Sequence, residues 1–128
     1  MFKYTTPKIL ILGNQMIIAA DVSLQFTKMG YNVIGIINQF KGVLKLIEEN
    51  RPDIVLMNIE NNGKANSLNV ARYISKKIHI PIVFLSANSS EDHFKEVLEI
   101  QPYAHINIPF KIKDLKRGIE TALSRMGA

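Results

Sequence analysis

The chain contains no cysteine among its 128 residues, which excludes a disulfide framework and any metal site built from thiolates. No apolar run approaches the roughly 20 residues that a membrane-spanning helix needs, and the N-terminus lacks a signal-peptide pattern. We therefore expect a cytoplasmic protein with no membrane association. The chain also lacks repeats, linkers and low-complexity segments, which predicts a single domain over residues 1–128 with its core at about 8–126.

The charge balance is basic, with 16 Lys and Arg against 11 Asp and Glu and a formal net charge of +5. Such an excess is a reason to consider nucleic acid as a partner. The basic residues are scattered, however, and the one dense cluster has no interleaved aromatic residues and lies on a helix with its own apolar stripe. That cluster comprises Lys111, Lys113, Lys116 and Arg117. We therefore expect no nucleic-acid binding.

Short apolar runs alternate with amphipathic segments along the whole chain. The predicted strands are Lys8–Leu12, Asn32–Ile37, Ile54–Met57, Ile80–Leu85 and Ala104–Ile108. The predicted helices are about Asn14–Met29, Gln39–Asn50, Leu68–Lys77, a fourth that begins at Ser89 or Ser90 and ends at Gln101-Pro102, and about Ile112–Met126. The polar stretch 60–67 is predicted to be a loop. Strict alternation of strand and helix favours a parallel sheet with helices on both faces.

Apolar residues of the predicted helices recur at steps of three and four, which is typical of a helix with one face against a core. The predicted faces are Ile17, Ala20 and Leu24 in the first helix; Phe40, Val43, Leu44 and Ile47 in the second; Phe94, Val97 and Leu98 in the fourth; and Leu115, Ile119, Ala122, Leu123 and Met126 in the last.

The third strand is the centre of the functional prediction. Ile54–Met57 is an uninterrupted apolar run, as expected for a strand that is buried on both faces of a parallel sheet. Asn58 follows at the carboxyl end of this strand, and ligands of open α/β sheets bind at that end. The chemistry of the site therefore depends on this residue being an amide.

Four segments, in this order and spacing, resemble the receiver domain of two-component response regulators. They are Lys8–Leu12, Arg51–Met57, Pro81–Ala87 and Pro109-Phe110. The resemblance extends from about Lys8 to Met126. It implies a flavodoxin-like (βα)5 doubly wound parallel sheet with strand order 2-1-3-4-5. It also implies that the chain takes part in phosphorelay signalling and is not an enzyme.

The family transfers a phosphoryl group from a phosphohistidine to an aspartate at the end of strand 3. Two acidic residues after strand 1 hold Mg²⁺ together with that aspartate, a Ser or Thr after strand 4 bonds a phosphoryl oxygen, and a lysine after strand 5 neutralises charge. The matching positions here are Gly13 and Asn14, then Asn58, Ser86 and Ile108. Only Ser86 keeps its type.

These differences remove the chemistry that the family needs. The amide of Asn58 is a very poor nucleophile, and Glu60 with its carbonyl competes poorly with water for a cation once the other carboxylates are missing. An apolar Ile108 leaves a dianion without a partner, at a desolvation cost of several kcal/mol. The resemblance thus implies a degenerate pseudo-receiver with no catalytic residue, metal or cofactor. Its pocket comprises Gly13, Asn14, Asn58, Glu60, Ser86 and Ile108.

The resemblance also implies an output face made by the fourth helix, fifth strand and fifth helix. His105 occupies the position of the family's switch aromatic, and Pro109, Phe110 and Lys113 follow on the same face. Acidic residues on the fourth helix oppose the basic cluster, which suits a two-fold homodimer or a protein partner such as a histidine kinase or an output protein. The acidic residues are Glu91, Asp92, Glu96 and Glu99.

Three alternatives stay open. The chain is either a phosphorylatable regulator with a different acceptor, such as Ser86, or a receiver domain cut from a sensor histidine kinase, or a flavodoxin-like nucleotide or flavin binder. The first loop, 13–16, lacks the hydroxyls and glycines that cradle a phosphate, which disfavours the last of these.

Overall fold

The computed structural model describes residues 6–13, 16–38, 41–59, 64–87, 95, 98–108 and 110–126. Its strands are β1 (Lys8–Leu12), β2 (Asn32–Ile37), β3 (Ile54–Ile59), β4 (Ile82–Ala87) and β5 (Ala104–Ile108). Its α-helices are α1 (Met16–Lys28), α2 (Val43–Asn50), α3 (Lys64–Tyr73) and a C-terminal helix (Ile112–Arg125). A π-helical turn, Ile74–Ile78, continues α3. Lys95, Leu98 and Glu99 are also helical, and the rest of the predicted fourth helix lies outside the described residues.

The five strands form one parallel sheet with the order β2-β1-β3-β4-β5. This order confirms the expected flavodoxin-like arrangement. All six residues of β3 are buried, because the strand lies in the middle of the sheet with a hydrophobic cluster on each face. One cluster lies under α2, α3 and the π turn, and the other lies under α1 and the C-terminal helix.

The prediction of which face of α1 is buried is wrong. Ile17 is 89% exposed and Leu24 is 51% exposed, and Ala20 is exposed as well. The helix instead buries Ala19, Val22 and Phe26. Its sequence carries apolar residues on two adjacent stripes, and the stripe that ends in Phe26 is buried against residues of β1 and β3. The Phe26 ring also packs edge-on to Tyr31, with 6.1 Å between the ring centroids.

The third helix begins earlier than predicted, since Lys64–Ser67 are helical and not part of a loop. The boundary of β4 also differs from the prediction: it runs from Ile82 to Ala87. Leu98 was expected to face inward but is 53% exposed. The C-terminal helix agrees with the sequence, because Leu115, Ile119 and Ala122 are buried and Leu123 and Met126 pack partly against the same cluster.

The chain enters β3, β4 and β5 after a residue with left-handed backbone. These residues are Arg51 (φ 47°), His79 (φ 64°) and Gln101 (φ 58°). Each donates its backbone N–H to a carbonyl of the preceding helical segment, at Ile47, Ile74 and Leu98 respectively. A left-handed residue is a common way for a helix to stop, and it turns the chain towards the amino end of the next strand.

Candidate functional site

Four of the predicted pocket residues lie at the carboxyl edge of the sheet. Gly13 follows β1, Asn58 lies near the end of β3, Ser86 lies near the end of β4 and Ile108 ends β5. The strand register places Ile59 opposite Ser86 and Ala87 opposite Ile108. The edge thus brings these four positions to one rim, whereas Asn14 and Glu60 lie outside the described residues.

Gly13 and Asn58 lie close together at this rim. A Cβ atom built on Gly13 would lie 2.8 Å from the Cβ of Asn58 and 3.7 Å from its Nδ2. The backbone of Gly13 is held in place, because its N–H donates to the Ile37 carbonyl at 2.9 Å. Asn58 itself is only 3% exposed. The Cβ of Asn58 therefore leaves no room for a side chain at position 13, whereas the amide group itself would lie at ordinary contact distance.

This contact was missed by sequence reasoning, which treated Gly13 only as a position without a carboxylate. The two residues are separated by 45 positions, and the sequence does not show which residue would lie against Gly13. A glycine at the end of a strand is a general signal for close approach of another chain segment, and that signal was available.

Ser86 and His105 form the second contact of the site. Ser86 is fully buried, and its Oγ lies 2.7 Å from Nε2 of His105, a partly buried residue on the neighbouring strand. The ring of His105, at the position of the family's switch aromatic, thus bonds the pocket serine. The signal was the strand order, which sets the end of β4 beside β5.

The remaining pocket position is apolar. Ile108 is partly buried and packs against the cluster under α1 and the C-terminal helix. The described side chains at this rim therefore offer an amide, a hydroxyl, an imidazole and an aliphatic group. In the described part of the chain, no three His, Cys, Asp or Glu side chains come together as a metal site would require.

The predicted output face is partly described. Phe110 is half-buried against the cluster under the C-terminal helix, and Lys113 is exposed on that helix. His105 connects this face to the pocket through Ser86. Pro109 lies outside the described residues. The structure thus gives a physical link between the rim of the sheet and its β5 side.

The family model of the response regulator receiver domain matches residues 9–120. The chain belongs to this family. Receivers are signalling modules of two-component systems that work with protein partners, and the expectation that the chain is not an enzyme agrees with this membership. Across the described residues, none of the helices has both the length and the apolar character needed to cross a membrane.

Curated relatives of this receiver include the transcriptional regulatory protein PdtaR of two Mycobacterium tuberculosis strains, CDC 1551 and H37Rv. Each is 29% identical over 118 residues, which is 92% of this chain and 57% of the relative. The receiver thus spans little more than half the length of these relatives.

Solved structures confirm the receiver fold. The signal receiver domain of a modulated diguanylate cyclase from Desulfovibrio desulfuricans G20 has a TM-score of 0.85 at 24% identity, over 95% of this chain and 97% of that chain. A response regulator from Thermotoga maritima has a TM-score of 0.80 at 22% identity, over 93% and 98% of the two chains.

Proposed function

We propose that this receiver acts in two-component signalling through protein–protein contacts and without an aspartyl phosphate. The observation that carries the proposal is Asn58, which is buried at the carboxyl end of β3 beside Gly13. At the end of β3, where the family's aspartate accepts a phosphoryl group, this chain has a buried amide packed against a residue without a side chain. An amide oxygen is neutral and attacks phosphorus poorly.

The electrostatics of the rim support the same function. Mg²⁺ takes oxygen ligands and usually needs at least one carboxylate to displace its water. Neither Gly13 nor Asn58 supplies one, and Asn14 carries an amide. Ile108 gives no positive charge to a phosphoryl group. The described pocket residues Gly13, Asn58, Ser86 and Ile108 carry neither sign of charge, so none of them is a buried ion without a counter-ion.

Phosphorylation tests the proposal directly. The purified chain is incubated with acetyl phosphate and Mg²⁺, and its intact mass is measured. We expect no added phosphate. We also expect none for Asn58→Asp alone, because the metal ligands and the lysine are still missing. Labelling should require Asn58→Asp combined with Asn14→Asp and Ile108→Lys. Gly13 stays unchanged in this variant, because a Cβ at position 13 would lie 2.8 Å from the Cβ of residue 58. Robust labelling of the unchanged chain or of the single variant would contradict the proposal.

The alternative acceptor is Ser86. Its Oγ lies 2.7 Å from Nε2 of His105, a distance at which an imidazole can take a hydroxyl proton. Ser86 is fully buried, however, so a phosphodonor could reach it only if the end of β4 opened. Fragmentation of any labelled protein would locate the phosphate, and a label on Ser86 that disappears in Ser86→Ala would establish this function instead.

We also infer that the receiver works in the cytoplasm with a histidine kinase or an output protein as its partner. The PdtaR relatives are named as transcriptional regulatory proteins, and this chain matches 57% of their length. A receiver domain that belongs to a sensor kinase is the other arrangement compatible with the family. Co-purification with the proteins encoded on either side of the gene distinguishes the two.

A homodimer through the output face stays a prediction. Its basic half is described on the C-terminal helix, whereas Glu91, Asp92 and Glu96 of its acidic half lie outside the described residues. Light scattering over a concentration series tests it, and a chain that stays monomeric up to millimolar concentration is not a dimer of this kind.

A further inference from the structure

The outermost strand of the sheet offers an open edge. In the described structure β5 pairs with β4 alone. Because backbone groups alternate in direction along a strand, those of every second residue of β5 point away from β4. An edge of this kind is a template on which a further strand can pair.

Two adjoining cavities run along this edge. One of about 450 Å³ is lined by β5 and the C-terminal helix, and one of about 630 Å³ is lined by β5 and the segment from Leu98 to Pro102. They share Tyr103, Ala104, His105 and Arg125. We call this continuous depression the β5 groove. It has room for an extended peptide beside the strand.

The β5 groove is positively charged. Arg117 and Arg125 line it from the C-terminal helix, and both are exposed. The acidic residue that lines it, Asp114, is already engaged because its Oδ2 accepts the Lys111 backbone N–H at 2.8 Å. Carboxylates are the groups that paired arginines bind best in a peptide.

Arg125 is held in position at one end of the groove. Its Nη1 donates to the carbonyls of Pro102 at 3.2 Å and Tyr103 at 3.0 Å, and its guanidinium lies 5.4 Å from the centroid of the Tyr103 ring. An arginine that is already ordered loses little side-chain entropy when a ligand arrives. Both bonds use one nitrogen, and a guanidinium has five N–H donors in all.

The spacing of the two arginines fits an extended chain. Arg117 precedes Arg125 by eight helical positions, or about 12 Å at a rise of roughly 1.5 Å per residue. Four residues of a strand span about 13 Å. The neighbour of Arg117, Gly118, approaches the Ile106 side chain so closely that a Cβ would lie 2.6 Å from its Cδ1. Arg117 therefore lies beside the middle of β5, and Arg125 lies beside its start.

We propose that the β5 groove binds an extended acidic segment of a partner protein, which pairs with the edge of β5 and places two carboxylates, four positions apart, on Arg117 and Arg125. This inference names the partner chemistry of the protein–protein contacts proposed above and rests on them. Strand addition supplies affinity through backbone bonds, and the two arginines select acidic side chains.

The test uses the whole chain and a fluorescein-labelled peptide of Val and Thr that carries two Glu residues separated by three others. Anisotropy should show binding that weakens with salt, and backbone amide chemical shifts should change along β5. Arg117→Gln should weaken binding roughly fivefold or more, as expected when a charge-assisted bond is lost. Lys76→Gln removes the same charge at an exposed site on the π turn and serves as the matched control.

Three results would overturn the proposal: equal binding of the same peptide with Gln in place of Glu, equal weakening by Arg117→Gln and Lys76→Gln, or self-association that puts a second copy on β5. The peptide titration uses no phosphodonor. A failure of peptide binding therefore leaves the absence of phosphorylation intact, and phosphate on the chain would overturn the proposed function without touching the peptide result.

Discussion

A hydrogen atom is the only side chain that position 13 admits while Asn58 keeps its place. The built Cβ of Gly13 lies 2.8 Å from Cβ of Asn58, whose position is fixed by the β3 backbone. No rotamer change can relieve such a contact, because a Cβ atom moves only with its own backbone. At position 13 the rim is therefore filled by the backbone and by Asn58.

Gly13→Ala should accordingly lower the free energy of unfolding by about 1–3 kcal/mol, the usual cost of overpacking a core. Urea denaturation of the purified variant measures this loss. Gly35→Ala on β2 is the matched control, since its Cβ would meet Leu10 Cδ1 at an ordinary 3.7 Å. Equal stabilities of the two alanine variants would contradict the packing described for Gly13.

The positions of the site residues along the strands could be predicted from the sequence, whereas the contacts between these residues could not. That Asn58 stands at the end of a buried strand, without a carboxylate at position 13, follows from the sequence alone. The distance between them does not, since it depends on how tightly β1 and β3 twist at their ends. The bond between Ser86 and His105 is similar, because it requires both the strand register and one rotamer of each side chain.

Residues with left-handed backbone at the ends of helical segments hold local backbone strain. His79 closes the π turn with φ 64°, and it is exposed. A residue with a Cβ pays roughly 1–2 kcal/mol for left-handed backbone, and glycine pays almost none. The His79 position is therefore unfavourable for any side chain, whatever that side chain contacts.

His79→Gly should raise the free energy of unfolding by about 0.5–1 kcal/mol, because the relief of strain exceeds the added entropy of the unfolded chain. Thermal and urea denaturation measure the gain. Lys45→Gly inside α2, also exposed, should instead cost about 1 kcal/mol. A loss of stability in both variants would mean that His79 makes a contact worth more than its strain.

Element boundaries and faces show where pattern reading has its limits. The C-terminal helix was predicted correctly because one face is apolar and the other is charged. The face of α1 was not, since Ile17, Ile18 and Ala19 are consecutive apolar residues and periodicity cannot choose among them. The early start of α3 at Lys64 was missed because polar residues such as Asn66 and Ser67 are typical of loops.

At the scale of the whole molecule, α1, β2 and the C-terminal helix meet around Tyr31. Burial raises the pKa of Tyr31 above its ordinary 10.0, and the nearby carboxylate of Glu120 raises it further. When pH rises past 10, the unfolded chain therefore loses this proton before the folded chain does. The folded state binds more protons in that range, so its stability falls as pH rises.

The free energy of unfolding should thus fall more steeply above pH 10 in the unchanged chain than in Tyr31→Phe. Glu120→Gln should lower the pKa of Tyr31 partway towards its ordinary value, as read from the tyrosinate absorbance. Glu48→Gln, an exposed carboxylate on α2, is the control and should leave this pKa where it is. Parallel pH profiles for the unchanged chain and Tyr31→Phe would contradict the shift.

The global architecture was the most predictable property. Five apolar runs that alternate with helical segments predict the sheet and its two clusters. This prediction rests on many residues, so an error at any one of them does not change it. The β5 groove was not predictable, since it depends on the exact placement of Arg117 and Arg125 relative to an open strand edge. Surfaces are less constrained by packing than cores are.

The packing of Gly13 against Asn58 closes position 13 to a carboxylate whichever of asparagine and aspartate stands at position 58, because the crowding atom is a Cβ that both residues share. An acid at position 13 would therefore displace the end of β1 or of β3. A cation ligand engineered into this rim would have to be placed on another residue.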